Sequence, residues 1–329
     1  MWFSPSIFLM SLSILTRIFL VISSPSIFIA WIGLELNTLA FMPILLVKKS
    51  KLSREASIKY FLTQTLASLL ILIRGLATLT LLRGLGSLTL LLGLRVKLGA
   101  APFHRWLISI AESIGWVPLF TLLTVQKINP LLVIWNFRLD KNIFFYTVAA
   151  SSLVLGGLAG LTQTRTRSLM TFSSINHVGW LITALGFGVG VATTYFFIYL
   201  VTLLSVILIF YIFNISQLTE LPLLGIKSRA QLVLFFSLFS LGGLPPFLGF
   251  LPKWLVLQLT ITESLFWLSL VIILIRLFVL FFYLRLIFSA FILRREKTVA
   301  CKSSPSITPL YLTILLSVSL GGLGFVFFL

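Results

Sequence analysis

Long, almost uninterrupted runs of apolar residues fill this chain, and short polar segments separate them. A helix needs about 20 consecutive apolar residues to cross the hydrocarbon core of a bilayer. By that measure the pattern predicts eleven transmembrane helices joined by short loops, with no room for a soluble domain. The predicted spans are residues 4–22, 25–47, 57–82, 86–103, 116–137, 143–161, 168–188, 192–216, 230–258, 264–292 and 308–328.

Composition points to the same class of protein. Of the 329 residues, 59% are hydrophobic and only 10% are charged, whereas soluble domains carry about 25% charged residues. A soluble globular enzyme is therefore excluded. Glycines four residues apart, Gly156 with Gly160 and Gly186 with Gly190, are typical of closely packed membrane helices. We predict an all-α polytopic membrane protein that forms a single membrane domain over residues 1–329.

Basic residues are strongly biased to one side of the predicted membrane. The net charge is +18, with 25 Lys and Arg against 7 Asp and Glu. Thirteen basic residues fall in loops on the side of the N-terminus and only three, Arg83, Arg138 and Lys141, in loops on the other. The thirteen are Lys48, Lys49, Lys51, Arg54, Arg105, Arg165, Arg167, Lys227, Arg229, Arg294, Arg295, Lys297 and Lys302. The positive-inside rule then places the N-terminus on the cytoplasmic or matrix side, and eleven spans place the C-terminus opposite. Basic residues scattered over several loops give no support for nucleic-acid binding.

Four ionisable residues lie deep inside predicted spans. Glu35 is in the middle of the second span, and Lys97, Lys127 and Lys253 lie in the fourth, fifth and ninth. A charge at the centre of the bilayer costs about 2.5–3.5 kcal/mol on insertion scales, so each needs a partner or an aqueous path. Two of the three lysines lack an acidic partner in this chain, which favours a functional interpretation over a purely structural one.

Prolines and glycines interrupt the helices beside these lysines. Pro102 follows Lys97, Pro130 follows Lys127, and residues 242–252, just before Lys253, contain three prolines and three glycines. Irregular backbone at membrane depth is tolerated only where protein buries it or where it lines a wet cavity. Interrupted spans of this kind are typical of ion sites in transporters.

Two interpretations of the buried charges stay open. Glu35 and one lysine could form a static pair that fixes helix packing. Alternatively, a lysine that alternates between paired and unpaired states could take up and release a proton, and several such groups would form a relay. His177 lies on a polar stripe of the seventh span and is a further relay candidate, unless it is only hydrogen-bonded. A lone Cys301 excludes a cysteine-based metal or iron–sulfur site within this chain.

Several ordered motifs carry a resemblance to a known family. They are WIGLELNTLAFMPIL at 31–45, EASIKYFLTQTLAS at 55–68, KLGAAPFHRW at 97–106, QKINPL at 126–131, SSINHVGW at 173–180, LGGLPPFLGFLPKW at 241–254 and FYLRL at 282–286. With these segments the chain resembles the antiporter-like membrane-arm subunits of NADH:ubiquinone oxidoreductase (respiratory complex I), in the short form of animal mitochondria.

The resemblance implies roles for the buried residues. Glu35 would be the helix-kink carboxylate that pairs with Lys97, Lys127 would be the central relay lysine, and Lys253 would lie on the exit half of the route. The implied fold has two inverted five-helix repeats, residues 4–137 and 143–292, followed by span 308–328. The fourth and ninth spans would be the proline-broken helices of the two repeats.

The resemblance also implies function, cofactors and partners. The chain would be a core subunit that translocates protons across the mitochondrial inner membrane, with its N-terminus in the matrix. It would bind no cofactor or metal itself, since NADH, FMN, iron–sulfur clusters and ubiquinone belong to partner subunits. Expected partners are a neighbouring antiporter-like subunit, small hydrophobic subunits, accessory subunits and lipids such as cardiolipin. The alternatives are a stand-alone cation/proton antiporter and a membrane scaffold whose charges only lock helices together.

Overall fold

The computed structural model describes residues 5–77, 83–137, 143–220, 228–245 and 247–291, and these are almost entirely helical. The predicted last span, 308–328, and the loop residues Arg138, Lys141 and Lys227 lie outside the described residues. The helices are α1 (Pro5–Ile22), α2 (Ile27–Leu45), α3 (Lys51–Ala77), α4 (Arg83–Leu98), α5 (Arg105–Ser113), α6 (Trp116–Leu123), α7 (Val125–Asn136), α8 (Ile143–Gly160), α9 (Thr166–Phe187), α10 (Val189–Ile212), α11 (Ser228–Gly242), α12 (Phe250–Thr262) and α13 (Phe266–Phe291).

The helical architecture follows from the apolar composition. Helices satisfy their own backbone hydrogen bonds, which is required where no water is available. Within the described residues, five helical stretches are long and apolar enough to cross a membrane: Ile27–Leu45, Lys51–Leu76, Trp116–Asn136, Val189–Ile212 and Phe266–Phe288. The all-helical membrane fold is thereby confirmed, and the count of eleven spans stays a prediction.

The described residues group into two compact units, which divide within α8 between Ser152 and Leu153. In the first unit, α2 packs against α1 and α3, while α4 packs against α3 and α7. The contact of α3 with α4 depends on Gly93, because a Cβ there would lie 2.8 Å from the carbonyl oxygen of Ala67. This unit brings α2, α3, α4 and α7 together around one interior.

In the second unit, α10 packs against α9, α11 and α12, and α13 packs against α11 and α12. The predicted close approach at Gly156 is confirmed, because a Cβ there would lie 2.5 Å from the backbone nitrogen of Asn176. A Cβ at Gly160 would lie 3.3 Å from the ring of Phe282. A Cβ at Gly190 would meet nothing within 4 Å among the described residues, so the close packing predicted there is wrong for this part of the chain.

Both predicted helix breaks are present. The first separates α4 from α5 and begins at Gly99, whose φ of 67° suits glycine. The second separates α11 from α12 and begins at Gly243, with φ 76°. At its far end Gly249 lies against α11, where a Cβ would be only 1.7 Å from the Ser240 carbonyl oxygen. The second connection therefore folds back tightly on the helix it leaves.

Two details differ from the sequence interpretation. The predicted span 116–137 is present as the candidate span Trp116–Asn136, but the chain breaks within it at Thr124 (φ −119°, ψ −76°), and Pro130 lies inside α7. The predicted loop between the fourth and fifth spans contains α5. The amphipathic sequence of α5 buries Trp106 and Leu107 and exposes polar residues, so its helical periodicity is visible in the sequence. At nine residues, however, α5 is too short to be predicted as a membrane-spanning helix.

Candidate functional site

All three predicted relay lysines lie beside helix interruptions. Lys97 is in the last turn of α4, Lys127 is in the first turn of α7 just after Thr124, and Lys253 is in the first turn of α12. Their side chains are 6%, 2% and 2% exposed. The dipole of α4 favours a positive charge at Lys97, whereas the dipole of α7 opposes one at Lys127. The two lysines of the first unit thus sit in opposite local fields.

Glu35 and Lys97 interact across space in the first unit. Glu35 is half-buried on α2, and its carboxylate interacts electrostatically with the Lys97 ammonium. Among the described residues, neither Lys97 Nζ nor Glu35 Oε2 has a hydrogen-bond partner, although both atoms are buried. Within the described residues, therefore, no direct hydrogen bond joins the Lys97 ammonium to the Glu35 carboxylate.

A cavity of about 10 Å³ lies beside Lys97 and Lys127. This volume has room for about one water molecule. Its walls are Tyr60, Gln64, Lys97, Leu98, Trp106, Leu107, Leu122, Gln126 and Lys127. The fold thus brings two lysines that are thirty residues apart in sequence to the wall of one polar cavity.

A buried amide network adjoins this cavity. Asn37 Nδ2 donates to Gln126 Oε1 over 2.7 Å, and the Tyr60 hydroxyl donates to the same oxygen over 3.3 Å. Asn37, Tyr60 and Gln126 are each at most 9% exposed. The network joins α2, α3 and α7 next to Lys127, so it connects the helix of Glu35 to the helix of the central lysine.

Lys253, in the second unit, is held by backbone carbonyls. Its Nζ donates to the carbonyl oxygens of Leu241 (2.6 Å) and Gly242 (3.0 Å) at the end of α11. These carbonyls have no further helical partner and carry the negative end of the helix dipole. Arg276 Nη2 donates to the next carbonyl, that of Gly243, over 2.5 Å. The second break therefore supplies a cation cradle without a carboxylate.

Half-buried arginines elsewhere also donate to backbone carbonyls. Arg95 Nη2 donates to the Ala101 carbonyl over 2.7 Å, and its guanidinium lies 5.6 Å from the ring centroid of Phe144. Arg285 donates to the carbonyls of Leu161 and Gln163 over 2.6 and 2.7 Å. Arg17 bonds the carbonyl of Leu36, the residue after Glu35. Backbone carbonyls thus accept hydrogen bonds from these three arginines, at the first interruption, after α8 and within α2.

His177 is part of an aromatic cluster in the second unit. It is buried on α9, its Nδ1 forms a hydrogen bond of 2.9 Å with the Tyr195 hydroxyl, and its ring centroid lies 4.6 Å from that of Tyr199. The hydroxyl can exchange a proton with the ring, which suits either a relay or a structural bond. The relay role of His177 stays a prediction. Among the described residues no group of His, Cys, Asp and Glu could hold a metal ion.

Comparison with known proteins identifies the family. A sequence model of the NADH:quinone oxidoreductase/Mrp antiporter transmembrane family matches residues 24–279. The chain is 41% identical over 286 residues to NADH-ubiquinone oxidoreductase chain 2 of Anopheles gambiae, a match that covers 84% of this chain and 83% of that one. It is 42% identical over 287 residues to the Aedes aegypti protein, covering 84% and 83%. The chain belongs to the NADH-ubiquinone oxidoreductase chain 2 family.

Solved structures share the fold of this chain 2 family member. A chain of respiratory complex I from Thermus thermophilus has a TM-score of 0.85 at 21% identity, over 97% of this chain and 78% of that one. A chain of the Mrp complex from Dietzia has a TM-score of 0.79 at 16% identity, over 96% and 73%. The antiporter-like fold is therefore confirmed.

Sequence reasoning found the charged members of this chain 2 site but not the amide network. Asn37 and Gln126 carried a partial signal, because amides inside membrane spans need partners. Tyr60 carried none, since tyrosine is common near membrane interfaces. Only the packing of α2, α3 and α7 shows that the three side chains meet.

Proposed function

We propose that the chain is an antiporter-like membrane-arm subunit of mitochondrial NADH:ubiquinone oxidoreductase, and that it translocates protons through its buried charged residues. The observation that carries the proposal is the shared cavity of Lys97 and Lys127, with Glu35 in electrostatic contact with Lys97. Membership of the chain 2 family supports the enzyme assignment. Electron transfer, with its FMN, iron–sulfur clusters and ubiquinone, belongs to partner subunits in this proposal.

The proposed route follows the two units. Glu35 stabilises a proton on Lys97 while the pair is close, and a charged Lys97 becomes costly once the carboxylate withdraws. The proton then passes to Lys127 across the cavity that both lysines line. Lys253 lies on the exit half of the route, where carbonyls rather than a carboxylate receive its charge, and His177 is a further candidate member.

The topology belongs to the same proposal. We propose eleven spans in two inverted five-helix repeats, residues 4–137 and 143–292, with residues 308–328 as the last span. The positive-inside bias supports an N-terminus in the matrix and a C-terminus in the intermembrane space. Proposed partners are the neighbouring antiporter-like subunit, small hydrophobic and accessory subunits, and lipids such as cardiolipin.

The test is the number of protons translocated per electron by the assembled enzyme in proteoliposomes. We expect Lys127→Met to lower this ratio while NADH oxidation continues. Lys59→Met, at an exposed lysine of α3, is the matched control and should leave the ratio unchanged. An unchanged ratio in the Lys127 variant would refute the relay.

A stand-alone antiporter is the second candidate, because the Mrp complex chain has a similar fold. Native electrophoresis distinguishes the two. A complex I subunit should migrate in a very large assembly with NADH dehydrogenase activity, whereas a monomer or homodimer would favour the antiporter.

A further inference from the structure

The carboxamide of Gln126 is held in one orientation by two donors. Asn37 Nδ2 and the Tyr60 hydroxyl both donate to Gln126 Oε1, over 2.7 and 3.3 Å. An amide oxygen accepts hydrogen bonds and an amide nitrogen only donates them. In this arrangement the oxygen of Gln126 faces Asn37 and Tyr60, and its Nε2 has no hydrogen-bond partner among the described residues.

Two buried donors belong to side chains that line the cavity. Among the described residues, neither Gln126 Nε2 nor Lys97 Nζ has a hydrogen-bond partner, and both residues line the cavity of about 10 Å³. Gln126 is 9% and Lys97 is 6% exposed. Buried donors of this kind are usually satisfied by an enclosed water molecule, and this volume admits about one.

We propose that Gln126 is a positioning residue that holds and orients a single water molecule between Lys97 and Lys127. The inference rests on the proposed relay function and adds the group that controls its central step. A water that accepts from both Gln126 Nε2 and Lys97 Nζ uses its two lone pairs on them. Both of its own protons then point away from these donors, and Lys127 lies on the remaining wall of the cavity.

Proton transfer through this water is balanced and directional. One N–H bond of the Lys97 ammonium breaks as an O–H bond forms on the water. One of the water's original O–H bonds breaks as an N–H bond forms on a neutral Lys127 amine. One proton moves, and nothing is oxidised or reduced. Gln126 does not carry the proton, because its amide neither gains nor loses one; it sets the orientation of the water that does.

The first test compares Gln126→Met and Gln126→Glu in the assembled enzyme. Methionine fills the space without polar groups. Glutamate keeps an oxygen for Asn37 and Tyr60 but turns an acceptor toward the cavity, which reorients the water. We expect both variants to lower proton-coupled turnover about tenfold, the effect of one lost hydrogen bond at a rate-limiting step. Gln258→Met, at an exposed glutamine of α12, is the matched control and should behave as the unmodified enzyme.

A measurement that is specific for proton transfer distinguishes a positioning role of Gln126 from a role in packing only. We expect D₂O to slow proton translocation more in both Gln126 variants than in the unmodified enzyme, because the proton step becomes limiting for translocation. High-resolution density of the unmodified enzyme should show a water within hydrogen-bond distance of Gln126 Nε2 and Lys97 Nζ, and this water should be missing in Gln126→Met. A slower variant with an unchanged isotope effect would overturn the proposal.

The outcomes distinguish this inference from the proposed function. If Lys127→Met abolishes pumping but Gln126→Met and Gln126→Glu pump normally, only the positioning role is wrong. If Lys127→Met also pumps normally, the relay itself is wrong. Should both Gln126 variants fail to assemble, Tyr60→Phe decides, since it removes one of the two donors and keeps the ring. It should raise the isotope effect in the same direction, and an unchanged effect would reject the role of Gln126.

Discussion

Methionine in place of Lys253 should destabilise the protein, whereas methionine in place of Lys97, combined with Glu35→Gln, should change its stability little. The two lysines are equally buried but differ in their bonds. Lys253 Nζ donates to the Leu241 and Gly242 carbonyls, while Lys97 Nζ has no hydrogen-bond partner among the described residues. Methionine matches the length of lysine and leaves the packing similar at both positions.

The expected difference follows from the acceptors left behind. Lys253→Met leaves two buried carbonyls at the end of α11 without their donor, at about 1–3 kcal/mol each, or about 2–6 kcal/mol together. Lys97→Met alone would leave the buried Glu35 carboxylate without its cation, so it is combined with Glu35→Gln. Removing both charges of a buried pair changes stability little. We therefore expect the free energies of unfolding of the two variants to differ by at least about 2 kcal/mol, roughly a 30-fold change in an equilibrium constant.

The assay is the temperature at which the detergent-solubilised enzyme releases or unfolds this subunit. Lys253→Met should lower that temperature clearly, and Glu35→Gln/Lys97→Met should stay close to the unmodified enzyme. Lys59→Met, at an exposed position, sets the baseline for removing a lysine charge. Equal losses in Lys253→Met and in Glu35→Gln/Lys97→Met would refute the assignment of a structural carbonyl cradle to Lys253.

Two further predictions concern close contacts of glycines. Gly249→Ala should prevent the connection between α11 and α12 from folding back on α11, because its Cβ would lie 1.7 Å from the Ser240 carbonyl oxygen. The amount of assembled subunit should therefore fall. Normal assembly would show that this connection can move away from α11. Gly156→Ala should cost about 1–3 kcal/mol in the free energy of unfolding, measured by thermal unfolding, because its Cβ would overpack against Asn176. Gly190→Ala is the control, since its Cβ would meet no atom of the described residues within 4 Å. Equal stability of these two alanine variants would contradict the helix contact.

Much of the fold could be predicted because membrane helices have strong, local signals. The breaks after Lys97 and before Lys253 were marked by Gly99 and by the glycines and prolines of 242–252. No glycine or proline marks the break at Thr124, and the apolar pattern continues through it. Pro130, the residue that suggested an interruption here, lies inside α7. Local sequence identifies residues that cannot continue a helix, but it does not identify a break that tertiary packing imposes.

The candidate site, like the fold, could be predicted only in part from the sequence. A charge inside an apolar run is visible in the sequence, which is why Glu35 and the lysines were found. The roles of Gln126 and Tyr60 depend on α2, α3 and α7 meeting at one point, and no local pattern specifies that meeting. The cradle of Lys253 was missed for a similar reason, because its partners are backbone carbonyls rather than side chains.

The most direct test of the relay compares proton translocation per electron in Lys97→Met, Lys127→Met and the variant with both changes. Residues that act as one unit lose function non-additively. A single relay through the shared cavity predicts that the double variant pumps no worse than the poorer single variant. Losses that multiply in the double variant would mean that the two lysines serve separate routes, and would contradict the relay.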